Sequence, residues 1–184
     1  MDGPFWVDLR SPHMGADAAS VTLATTAKAL VPVANLPILG SNYFGFIGKA
    51  VRIRVFGRIT TGATPGNMQA SLYWGNGTDA NGTLLAQTAA VALTASQTNL
   101  SWQFEAFIRC RALGATGSLM VTGVFSANVA VLASTLQPVM LPASAPAATT
   151  VDLTQNFFIS PQLLRSGSTA EAAQVHEFSY EALN

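Results

Sequence analysis

Few side chains in this sequence could do chemistry. Cys110 is the only cysteine and stands between Arg109 and Arg111, where nearby guanidinium charge could lower a thiol's pKa and create a nucleophile. On an extended strand both arginines project away from the face that carries Cys110. A small buried core residue beside Ile108 is therefore expected instead. His13 follows Pro12, and His176 precedes Glu177, with no close-spaced metal partner for either. Strand alternation would put His176 and Glu177 on opposite faces, where they cannot share an ion. No G-x-S-x-G elbow, Walker loop or H-E-x-x-H occurs. The nine acidic residues are scattered, so a carboxylate pair of the kind a depolymerase needs is not expected. The expectation is a protein with no catalytic residue, no cofactor and no metal ligand.

The strongest local signal is cationic. Lys49, Arg52, Arg54 and Arg58 are four of the nine Lys and Arg residues and fall within ten positions, KAVRIRVFGR. Val51, Ile53, Val55, Gly57 and Ile59 alternate with them, the period of a half-buried strand with the arginines on its outer side. Such a stripe could grip nucleic acid, and Phe56 and Phe107 interleave with charges as stacking rings would. The net charge is zero, however. Glu105 shares a face with Arg109, and Glu177 shares one with Glu181. Cross-strand Arg–Glu pairing is the simpler expectation, with part of Arg52, Arg54 and Arg58 serving a protein partner.

These residues belong to a chain of 184 residues, long enough for one domain with a substantial core. Charged residues make up 10% of it against about 25% in an average soluble protein. A surface so poor in charge is either coated in small polar groups or buried in an assembly. Met1-Asp2 opens without the basic and apolar segments of a secretory leader, so folding in a cytoplasm is expected. Residues 112–151 carry no charge. Thr122, Gly123, Asn128 and Pro138 interrupt that stretch, and strands with a loop fit it better than a membrane span. Asn76-Gly77-Thr78 and Asn81-Gly82-Thr83 match glycosylation acceptors but are read as tight-turn chemistry.

The elements that must position these side chains read as strands. Met68, Ala70, Leu72 and Trp74 share one face of MQASLYWG, and Trp102, Phe104, Ala106, Ile108 and Cys110 share one face of the strand after Leu100. GSLMVTGVFSA, VDLTQNFFIS and QVHEFSYEALN read as further strands, LLAQTAAVAL as strand or short helix, and STAEAAQ as a turn or two of helix. Pro138, Pro142 and Pro146 imply an extended arm. Six to eight strands between turn signals predict an all-β antiparallel sandwich or jelly roll over residues 21–184. Residues 1–20 form an extended N-terminal arm whose Phe5, Trp6 and Leu9 are candidate docking anchors.

The order of pieces NYFGFIGKAVRIRVFGRITTG, WQFEAFIRCRALG, LPASAPAATTVDLTQNFFIS and VHEFSYEALN resembles structural proteins from virions of tailed bacteriophages, from about Phe44 to Asn184. Lys49, Arg52, Arg58, Cys110 and Arg111 recur there as fold elements. The arm MDGPFWVDLRSPHMG does not match the pattern. The resemblance implies a single jelly-roll capsid decoration, or cement, protein. It would assemble as a homotrimer on the major capsid protein, outside the capsid, with neither nucleic acid nor membrane as partner. A second expectation is a tail or baseplate module that recognises a receptor or carbohydrate through Tyr43, Phe44, Phe46, Tyr73 and Trp74.

Overall fold

A computed structural model describes residues 9–10, 17–75, 82–133, 138–167 and 171–183. Phe5, Trp6 and His13 lie outside them. The strands in chain order are β1 (Leu9–Arg10), β2 (Val21–Thr22), β3 (Lys28–Ala29), β4 (Ala50–Thr60), β5 (Asn67–Gly75), β6 (Thr83–Gln87) and β7 (Val91–Ala92). They continue with β8 (Leu100–Ala112), β9 (Gly117–Ala127), β10 (Val139–Leu141), β11 (Ala148–Val151), β12 (Phe158–Arg165) and β13 (Ala172–Leu183). One 3-10 turn, Val33–Asn35, is the helical element among the described residues.

Two antiparallel sheets pack face to face as a sandwich. The eight-stranded sheet runs β1-β13-β4-β8-β9-β10, with β2 also on β13 and β11 also on β9; the five-stranded sheet runs β3-β12-β5-β6, with β7 on β5. The chain crosses between sheets from β4 to β5 and back from β12 to β13. Because β13 pairs with β4 and β12 with β5, these two crossings lie side by side, a jelly-roll-like wrap.

The alternation that predicts the strands also builds the core. Val51, Ile53, Val55 and Ile59 from β4 and Trp102, Phe104, Ile108 and Cys110 from β8 are buried; they face Met68, Leu72 and Trp74 of β5 and Ile159 and Leu163 of β12. Phe157 stacks on Trp74 with ring centroids 3.8 Å apart. Burying each such side chain stabilises the fold by about 1.5–3 kcal/mol. The wholly buried Tyr180 of β13 joins the two sheets. Its hydroxyl donates to the Ile159 carbonyl and accepts from the Ile159 N–H at 3.1 Å.

Several expectations need correction. QVHEFSYEALN does not alternate throughout. The β13–β4 register shifts between Val175 and Glu177, so buried positions change from Ala173 and Val175 to Phe178, Tyr180 and Ala182. His176 is the extra residue of this bulge, and both it and Glu177 face solvent instead of opposite sides. The bulge also explains Gly57. A Cβ there would lie 2.0 Å from the Gln174 carbonyl oxygen and 2.8 Å from the Trp102 ring, so no larger residue fits.

VDLTQNFFIS is not one strand. Val151 ends β11 in one sheet and Phe158 opens β12 in the other. Asp152 Oδ1 makes the turn between them by accepting from the Thr154 N–H at 2.9 Å and the Thr154 hydroxyl at 2.6 Å. STAEAAQ is not helical where described, since Ala172 to Gln174 already pair with β4. The proline-rich stretch is extended as expected, but β10 and β11 within it zip onto the edge of β9. LLAQTAAVAL becomes β6 and β7. The first twenty residues are tied down in part, with Leu9 opposite Glu181 and Ala18 N donating to Val175 O at 2.9 Å.

Candidate functional site

The outer face of the eight-stranded sheet gathers the arginines of β4 and the acids of its neighbours. Register puts Arg52 beside Glu181 and Arg54 beside Glu105. Arg52 Nη2 bonds Glu181 Oε2, and its Nη1 lies 3.9 Å from Glu105 Oε1, while Arg54 Nε lies 3.5 Å from the same oxygen. Arg58 reaches elsewhere. Its Nε donates to Gln174 Oε1 at 2.8 Å, and its Nη2 stands 4.0 Å from Asp17 Oδ2. The stripe is therefore a ladder in which Arg52, Arg54 and Arg58 meet Glu181, Glu105 and Asp17. Local charge is largely compensated, which leaves little field to gather a polyanion. Lys49 sits apart, donating to Tyr43 O at 2.7 Å with its Nζ 4.0 Å from the centre of the Tyr43 ring.

Asp17 is also 2.6 Å from His176 Nδ1, and Gln174 Nε2 donates to Ala18 O at 2.9 Å. The bulge thus turns His176 outward to meet the incoming N-terminal segment, and Asp17, His176, Arg58 and Gln174 clasp that segment to β13. Nearby, the wholly buried Glu171 carboxylate meets Arg165 Nε at 2.8 Å, and the same Nε donates to Leu23 O at 2.7 Å. The sequence offered no signal for Asp17 or Gln174, because Asp17 and His176 are 159 residues apart, and Gln174 and Ala18 are 156 apart, joined only by topology.

The opposite end of the sandwich has a different chemistry. Gly48 N donates to Cys110 O at 2.9 Å, Asn42 N to Leu153 O at 3.0 Å, and Leu153 N to Gly114 O at 3.1 Å. These bonds draw the loops at 40–49, 113–116 and 152–157 together. Gly48 has φ +97°, a left-handed turn that glycine accepts freely. This loop cluster presents Phe46 (51% exposed), Ile47 (64%) and Leu113 (45%) to solvent. Ile38 (61%) stands close by, over a shallow hollow of about 220 Å³ shared with Asn156, Phe157 and Phe158. Large apolar groups exposed on loops that the backbone bonds hold together are candidates for a contact surface.

The remaining candidates divide clearly. Cys110 is wholly buried, its thiol donating to Ala112 O at 3.4 Å, and burial pushes its pKa above the ordinary value. It stays protonated at neutral pH, a core group as expected. Of the five rings offered for sugar stacking, Phe44 and Trp74 are buried and both stack on Phe157. Tyr43 and Tyr73 are half-buried, and Phe46 is exposed. They do not make one platform. Leu9 lies in β1 opposite Glu181. Among the described residues no group of three or more His, Cys, Asp and Glu could hold a metal ion, and no helix is long and apolar enough to cross a membrane. Compared with protein-family models, with curated proteins and with solved structures, the chain finds no match in any of the three.

Proposed function

We propose that this chain is a non-catalytic structural virion protein, a decoration or cement protein that binds the outside of a phage head as a homotrimer and stabilises it. The observation that carries this reading is the apolar end, where Phe46, Ile47, Leu113 and Ile38 face solvent on a chain with 10% charged residues. A cement protein acts by binding energy spread over a surface and needs no reacting group. Large apolar side chains held on hydrogen-bonded loops suit that task. The strand motifs that resemble virion proteins, GKAVRIRVFGRI and FIRCRALG, lead into or out of this same end. Bound copies would favour the assembled shell over its separated subunits by mass action. Folding in the host cytoplasm and the major capsid protein as partner complete the proposal. The tail or baseplate alternative loses ground because two of its five rings lie in the core.

The experiment is co-sedimentation of the purified chain with heads that lack it. The expected result is saturable binding in hundreds of copies per particle, together with a higher temperature for head disruption. A chain that never sediments with heads, or does so in a handful of copies, would overturn the proposal.

A further inference from the structure

We propose that the clasped half of the sheet's outer face holds a binding site for a neutral saccharide, centred on Phe56. Registers β13–β4, β4–β8 and β8–β9 place Glu177, Phe56, Gln103 and Ser126 in one rank across four strands. A cleft of about 340 Å³ opens here, lined by Phe56, Ser101, Trp102, Gln103, Ser126, Ala127 and Asn128. That volume is at the lower end of small-molecule pockets, which run about 300–1,000 Å³, and suits one or two sugar rings.

Its chemistry is a half-buried aromatic ring surrounded by hydroxyls and amides. An apolar sugar face can lie on the ring while sugar hydroxyls, each a donor and an acceptor, meet groups of the same kind. Ser101, Gln103 and Ser126 spend no side-chain hydrogen bond on the described residues. Asn128 Oδ1 accepts from the Ala130 N–H at 3.0 Å, which orients its amide and leaves the N–H2 donors for a ligand. The cations that flank Phe56 on β4 are engaged, Arg54 by Glu105 and Arg58 by Gln174 and Asp17, and Glu177 bounds the rank with negative charge. An anionic ligand therefore meets repulsion without a free guanidinium, whereas a neutral one does not. This site lies away from the apolar end and does not depend on assembly there.

The test is a titration of the isotope-labelled full chain, followed by amide NMR, with glucose, galactose, mannose, N-acetylglucosamine and N-acetylgalactosamine. Glucose 6-phosphate serves as the charged control. At least one neutral sugar should give saturable shifts at Gln103, Ser126 and Asn128, with a Kd of roughly 1 mM. Phe56→Ala should weaken it about tenfold, Gln103→Ala should weaken it less, and glucose 6-phosphate should not bind more tightly. The result that overturns the proposal is no saturable shift with any of the five, or binding that both variants leave unchanged.

Discussion

The two ends of the sandwich settle their surface chemistry in opposite ways. Where β12 turns into β13, polar groups find one another. Glu171 meets Arg165, while Asp17, His176, Arg58 and Gln174 clasp the N-terminal segment. At the far end, backbone hydrogen bonds fix the loops and the apolar side chains of Phe46, Ile47 and Leu113 are left outside. A chain with nine acidic and nine basic residues spends two of each, with His176, on holding its own strands at one end. The other end keeps surface whose burial would be favourable only in an assembly. The first end ties segments distant in sequence together, and the second is the part that the proposed function assigns to partners.

Three changes probe that contrast, beginning with the largest. Arg165→Met removes one partner of a wholly buried carboxylate, and removing one member of a buried pair costs about 3–5 kcal/mol. Chemical denaturation should show that loss. A loss below about 1 kcal/mol would mean that the polar end is not where stability is concentrated. The ladder between the ends should matter less. A double-mutant cycle of Arg54→Ala with Glu105→Gln should give a coupling of about 0.2–1 kcal/mol that shrinks with added salt, as exposed pairs do.

The smallest effect belongs to the apolar end. The Thr154 hydroxyl, with the Thr154 N–H, holds the Asp152 carboxyl below its ordinary range. A depressed carboxylate stabilises the fold above its unfolded value of about 3.9, and that contribution disappears as pH falls through the folded value. Melting curves of the parent and Asp152→Asn should differ slightly at neutral pH and converge below about pH 4. Curves that stay equally apart throughout would show that the carboxylate charge is not involved.

Much of the fold was legible because period-two alternation is a local property. Val51 to Ile59 and Trp102 to Cys110 announce which face is buried, and their burial follows. The bulge at His176 was hidden, because a single extra residue leaves no mark in composition yet reverses every later position of β13. The break between Val151 and Phe158 was hidden for a related reason. A change of sheet is made by one Asx turn at Asp152, inside what reads as continuous alternation. The arginine ladder was half legible. Acids of the right parity were visible in Glu105 and Glu181, but Asp17 and Gln174 reach Arg58 only through the strand order. Phe46 stood out only as one of five candidate sugar-stacking rings, and Ile47 and Leu113 gave no signal, since apolar residues in a loop look the same whether they fold inward or outward.

The central claim is that the apolar end is where copies of the chain, or chain and capsid, meet. Light scattering of the purified 19.2 kDa chain, beside the double variant Phe46→Glu with Ile47→Glu, tests it most directly. The parent should have the mass of a trimer. The variant should be a monomer that keeps the parent's strand content by circular dichroism and still unfolds cooperatively, at a lower temperature because it lacks the stabilisation that association gives. A parent that is monomeric at every concentration, or a variant that remains a trimer and still binds heads, would contradict the account.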